Sequence, residues 1–258
     1  MTLAKAVIAR LPTPVQDRFR CWHYARKLRD ARWTDEPELE AVKCLVEPGD
    51  VVLDIGANFG LFTRFLAETV GESGRVIAFE PSRDMFLVLE SNRRFLGWEN
   101  VECHACAISD RPGEGTLTIP RRPDGTLNHY ESALERGEHM PPTGRDSTKV
   151  PLQSVDSFCR ERGIEQVSFI KCDVEGHEIA VLQGAVETIR MSRPTILIEI
   201  NESLDDHEHG RAVLTLVESL DYEILVFEEG EIRERGVGES RVNYVLRPRD
   251  QGLRPAAA

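Results

Sequence analysis

Apolar residues along this chain recur in two rhythms, short continuous runs and stripes at helical spacing, and the two alternate. The run Val51-Val52-Leu53-Asp54-Ile55 stops at Gly56-Ala57-Asn58-Phe59-Gly60. Such a run, closed by two glycines within five positions, reads as a buried parallel strand ending in a tight turn. Leu61, Phe62, Phe65, Leu66 and Val70 then recur as one helix face, which the glycines at 71 and 74 end. Strand two covers Arg75 to Phe79. A helix capped by Ser82 carries Met85, Phe86 and Leu89 inward and ends at Gly97, and strand three runs from about Val101 to Ala105.

After a short strand from Gly113 to Ile119 the rhythm stops. From Pro120 to about Thr148 there is no clear period, which predicts a lid or binding loop and the natural place for an acceptor; His129, Tyr130, Glu131 and Ser132 form a polar cluster within it. Regularity resumes with a strand at Lys149 to Gln153 and a helix from Ser154 to Arg162. A strand from Val167 to Asp173 then runs into a helix opened by Val174-Glu175-Gly176-His177-Glu178, and strand five covers Pro194 to Ile200. A helix from about Glu208 to Leu220 precedes Tyr222 to Phe227 and Arg241 to Leu246, which read as an antiparallel pair closing the sheet's edge. The alternation predicts one doubly wound α/β domain over residues 47–248, with a helical extension at 1–46 and a disordered tail at 249–258.

Composition changes this picture in three places. Hydrophobic residues at 41% and charged residues at 29% belong to a soluble globular chain, with no signal peptide and no apolar run near the roughly 20 residues that span a bilayer. The net charge of -12 argues against a nucleic-acid partner. Residues 1–33 differ, at +6 against -18 for the remainder, with Phe19, Trp22, His23 and Tyr24 among the charges. That segment reads as an extension packed on the core or on a second subunit of a homo-oligomer, or as a surface for an anionic membrane, lipid-linked acceptor or acidic glycan. The six scattered cysteines fit reduced thiols of a cytoplasmic protein better than a zinc knuckle.

The glycine turn is where chemistry is expected. A dinucleotide fingerprint would have a third glycine where Thr63 stands, and it does not normally put an acid before the first glycine, where Asp54 stands. An acid there suits a cationic amino group, such as that of S-adenosylmethionine, better than a pyrophosphate. Strand two ends in Glu80-Pro81, and a carboxylate there can accept from both ribose hydroxyls. The expected cofactor contacts are Asp54, Gly56, Ala57, Asn58 and Gly60 at the amino-acid end, Glu80 and Pro81 at the ribose, and Ala107 and Ile108 at the adenine. A nicotinamide cofactor is the alternative.

Asp173, Glu175 and Glu178 crowd one strand end, which is costly unless cations or protons are held there. Glu199 and Asn201 leave the neighbouring strand. These oxygens would suit acceptor positioning or Mg²⁺, and His177 and His129 have the pKa range of a general base. Asp173, Glu175, His177 and His129 are therefore the catalytic candidates, with the metal undecided.

Together Asp54 to Gly60, Phe79-Glu80-Pro81, Ala107-Ile108-Ser109, Ile170 to Glu178 with Leu182 and Gly184, and Glu199-Ile200 resemble the FkbM family of S-adenosylmethionine-dependent methyltransferases, in both order and spacing. The resemblance covers about residues 50–201, with Cys172 where the family more often has an aliphatic residue. It implies a Rossmann-like class I sheet of seven strands with an antiparallel last strand, and methyl transfer to a hydroxyl of a sugar, glycan or polyketide-type product. A nicotinamide-dependent sugar oxidoreductase and a non-catalytic cofactor-binding scaffold are the competing readings.

Overall fold

A computed structural model describes residues 11–122, 127–129, 132–135, 145–236 and 238–250. Helices α1 (Thr13–Asp30) and α2 (Pro37–Leu45) precede an alternating core: β1 (Val51–Ile55), α3 (Leu61–Val70), β2 (Arg75–Phe79), α4 (Arg83–Leu96) and β3 (Val101–His104). Four strands follow, β4 (Ala107–Ile108), β5 (Gly113–Pro120), β6 (Ala133–Glu135) and β7 (Arg145–Gln153). The alternation then resumes with α5 (Val155–Arg162), β8 (Phe169–Cys172), α6 (Glu178–Gln183), α7 (Val186–Ser192), β9 (Thr195–Glu199) and α8 (Glu208–Ser219). Strands β10 (Tyr222–Glu228), β11 (Glu231–Glu234) and β12 (Asn243–Pro248) end it.

The main sheet has eight strands in the order β11-β10-β12-β9-β8-β1-β2-β3. Strands β3, β2, β1, β8 and β9 are parallel, and β12 enters antiparallel between β9 and β10. Both faces are covered, which explains the unbroken apolar runs: Leu53, Ile77, Ile170 and Ile196 feed the core on one side, and their neighbours Val52, Val76, Phe169 and Leu197 feed the core on the other. No helix among the described residues is long and apolar enough to cross a membrane.

Two expectations are corrected. The sheet has eight strands and not seven, because Glu229 and Gly230, both at positive φ (51° and 86°), make a two-residue hairpin turn and send β11 back along β10. Its exposed Glu-Ile-Arg-Glu pattern looks like loop, so β10 and β12, read as the pair closing the sheet's edge, both lie inside it, with β11 outermost. Second, the lid is only partly irregular. β5 and β7 pair from Gly113↔Leu152 to Pro120↔Arg145, and with β4 and β6 they form a separate four-stranded sheet. The mostly polar residues of β7 concealed it: only one face meets the small apolar cluster of Leu117, Ile119, Val150 and Leu152. Tyr130, Glu131, residues 1–10 and the tail from 251 lie outside the described residues.

The N-terminal helix is built into the domain. Leu28 is fully buried, Tyr24 stacks on Phe59 with ring centres 4.9 Å apart, and Trp33 packs on Phe65 at 4.4 Å. Arg64 of α3 donates to the carbonyls of Leu28 and Ala31, satisfying the open end of α1.

Candidate active site

The carboxyl ends of β1, β2 and β8 open onto one cleft. Backbone contacts lace these ends together. The N–H groups of Gly56 and Ala57 both donate to Phe79 O at 3.0 Å, and Asp173 N donates to Ile55 O at 3.0 Å. Gly56 sits at φ 85°, and a Cβ there would stand 1.8 Å from Asp173 O, so only glycine lets the β1 and β8 turns touch.

Glu80 dominates one wall. Oε2 accepts from Asn58 N at 2.8 Å and Oε1 from Ser82 N at 2.7 Å, which fixes the carboxylate while leaving lone pairs for a ligand's hydroxyls. Burial raises its pKa to about 7 against those bonds, with Asp54 and Asp173 adding to the rise. Beside it Asn58 Oδ1 is buried without a hydrogen-bond partner among the described residues, an acceptor suited to an ammonium donor. Pro81, Ala107 and Ile108 line the same cleft and supply its apolar surface.

Ala57 and Gly60 stand behind the wall as turn residues. So does Asp54: it is 1% exposed, and its carboxylate accepts from Thr63 Oγ1 at 2.5 Å. The two departures from the dinucleotide fingerprint are thus one interaction. Burial raises the Asp54 pKa to about 6, with Thr63 and Lys171 opposing.

All four catalytic candidates, Asp173, Glu175, His177 and His129, also line the cleft, the first three opposite Glu80 and His129 on the Glu80 side beside Ser82. Glu175 has φ 52° and Gly176 φ 96°, a turn that swings the Glu175 carboxylate back toward strand β9. There Asn201 Nδ2 donates to Glu175 Oε2 at 3.1 Å and to Glu199 Oε1 at 3.3 Å. Asp173, Glu175 and Glu199 each bring an oxygen within 4.8 Å of the others. Burial and the nearby Asp173 raise the Glu199 pKa. Lys171, 2% exposed, places Nζ 3.5 Å from Asp173 Oδ2 and offsets part of the negative charge.

Glu178, the third acid of the crowded strand end, is absent from the cleft wall. It is buried, with Oε1 accepting from Gly176 N at 2.8 Å and Oε2 held 2.9 Å from His209 Nε2, and so braces the loop. His177 Nε2 lies 2.9 Å from Ser109 Oγ, which donates to Asp110 Oδ1 at 3.1 Å. Gly184 keeps that serine in place, since a Cβ on it would fall 2.0 Å from Ser109 O. Across the cleft His129 Nδ1 is 3.1 Å from Ser82 Oγ, and burial lowers its pKa below the ordinary histidine value.

Sequence reasoning passed over Ser109 and Asp110 as site residues, and over Lys171. Lys171 had a signal, a cation inside the apolar run Phe169-Ile170-Lys171-Cys172; what it lacked was the β1–β8 register that sets it opposite Asp54. Leu117 and Leu134, which roof the cleft from the second sheet, were hidden with that sheet.

A sequence model described as "Methyltransferase FkbM domain" matches residues 54–224. The AMB antimetabolite synthetase AmbE of Pseudomonas aeruginosa is 25% identical over 79% of this chain and 11% of its own length. The 31-O-demethyl-FK506 methyltransferase FkbM of Streptomyces tacrolimicus is 31% identical over 54% of this chain and 60% of its own. The 2-O-methyltransferase NoeI of Sinorhizobium fredii is 26% identical over 69% and 74%. The chain therefore spans about a tenth and three fifths of the first two relatives.

Proposed function

The chain belongs to the FkbM methyltransferase family, and from that premise we propose that it moves a methyl group from S-adenosylmethionine to a hydroxyl oxygen of a sugar, glycan or polyketide-type acceptor. The observation that carries this is one cleft with a ribose-type carboxylate on one wall and a histidine with a cluster of acids on the other. Bound there, the sulfonium cofactor supplies an already activated methyl, so the protein's part is to position an oxygen and take its proton. Glu80 meets the ribose hydroxyls, Asn58 the amino-acid end, and Pro81, Ala107 and Ile108 the base. A nicotinamide cofactor fits less well, because Thr63 stands where the dinucleotide fingerprint has its third glycine and Asp54, hydrogen-bonded to it, stands just before the first. The relatives' printed names, a 31-O-demethyl-FK506 methyltransferase and a 2-O-methyltransferase, support oxygen as the acceptor atom.

His177 is the proposed base. With Ser109 giving its proton to Asp110, the His177 tautomer that donates from Nε2 to Ser109 Oγ has Nδ1 as its basic nitrogen. Asp173, Glu175 and Glu199 hold the acceptor's hydroxyls. Their oxygens would also suit Mg²⁺, but Lys171 already lies beside Asp173 and offsets charge that a cation would otherwise balance. The test is S-adenosylhomocysteine release with a panel of glycosides and macrolides. His177→Ala is expected to lower kcat on the order of a hundredfold or more at unchanged cofactor affinity, and EDTA to leave turnover intact. Full activity in both Asp173→Asn and Glu175→Gln would remove the proposed acceptor site, and EDTA-sensitive turnover restored by Mg²⁺ would transfer these acids to a metal.

A further inference from the structure

Seven large apolar side chains stand exposed among the described residues, and five of them sit on two adjacent helices: Val15, Phe19 and Trp22 on α1, Leu87 and Phe95 on α4. Spacings of four and three on α1 put the first three in one stripe, and Arg26 and Arg29 continue it toward the C-terminus. The helices run parallel, with Arg20 on Asp84 at 2.9 Å near one end, Cys21 beside Leu87 O, and a groove between Trp22, Arg26, Arg29, Ser91 and Phe95 further along. Trp22 is 62% and Phe95 65% exposed, large aromatic areas left in water at the rim of an otherwise acidic body.

The charge around these aromatics is positive. The side chains of Arg26, Arg29, Arg83 and Arg94 are all more than 60% exposed, whereas Asp17, Asp84 and Glu90 on the same helices are about 20% exposed and engaged by arginines. Asp30, at the end of α1, is exposed and lies between Arg26 and Arg29.

We propose that this α1/α4 face docks on an anionic lipid surface, with Trp22, Phe19 and Phe95 entering the headgroup region and the arginines meeting lipid phosphates. Charge selects the occupant. A second copy meeting this face by two-fold symmetry would set arginine against arginine, whereas anionic headgroups complement it and repel the acidic remainder of the molecule, which fixes one orientation. Docking also has a geometric consequence. α4 starts just after Ser82, whose Oγ is on His129 at the cleft wall, so the patch begins at the cleft's rim and holds the cleft beside the membrane.

The full chain is floated with vesicles of phosphatidylcholine alone and of phosphatidylcholine with phosphatidylglycerol, with and without added salt. The expected result is flotation with the anionic vesicles only, weakened by salt. Trp22→Ser with Phe95→Ser, and separately Arg26→Glu with Arg29→Glu, should each weaken it about tenfold or more. Circular dichroism melting confirms that the variants are folded, a control independent of cofactor binding. Equal flotation with both vesicle types, or folded variants that float like the parent, overturns the proposal. A concentration-dependent dimer abolished by Trp22→Ser, with no vesicle binding, overturns it too and assigns the face to a second copy.

Discussion

Two opposing demands meet in the Glu80 carboxyl. Burial and the charges of Asp54 and Asp173 favour its neutral form, while the N–H groups of Asn58 and Ser82 favour the carboxylate, and the balance leaves a pKa of about 7. In the unfolded chain the value is near 4.5, so the folded protein binds more protons between 4.5 and about 7, and stability from this group falls as pH rises through that window. Asp54, at about 6, acts in the same direction a unit lower. The unliganded protein should therefore lose melting temperature from pH 5 toward 7.5 at these two sites, while affinity for S-adenosylhomocysteine rises from pH 6 to 8 as the accepting carboxylate forms. Titrations across that range check both, and Glu80→Gln should flatten the affinity profile. That Glu80, Asn58 and Gly56 line the cleft was legible because each is set by its distance from a strand end. The partner of Asp54 was not, since the Thr63 contact depends on how α3 turns back over β1.

At the scale of elements, the β1–α3 turn is the tightest constraint. Gly56→Ala would force a Cβ into Asp173 O at a φ that alanine disfavours, so β1 and β8 must separate. The expected cost is about 3 kcal/mol or more, read by urea unfolding, with cofactor binding lost in any protein that still folds. The parallel strands were legible because burial on both faces makes their apolar runs continuous. The hairpin strand β11, and the pairing of the strands at Gly113 and Lys149 into a second sheet, were not, since one-sided burial spreads their few apolar residues among charges such as Arg233, which is held by Glu228 and Glu239.

For the whole molecule, α1 belongs to the core as well as to the surface. Leu28 is fully buried under α3, so Leu28→Ala should destabilise the entire domain by about 2–5 kcal/mol in a single cooperative transition. A separate early transition for α1 would show the extension to be an independent unit. Charge asymmetry marked this segment in the sequence, but its packing on Phe59 and Phe65 requires the fold that brings those rings beneath it. Through Phe59 the helix also backs the glycine turn, and so every layer of the structure converges on the cleft. The most direct test of that convergence is calorimetric titration of the purified protein with S-adenosylhomocysteine and with NAD. Saturable binding of S-adenosylhomocysteine, weakened about a hundredfold or more in Glu80→Ala by loss of two charge-assisted hydrogen bonds, is the result expected; binding of NAD with no response to S-adenosylhomocysteine would contradict it.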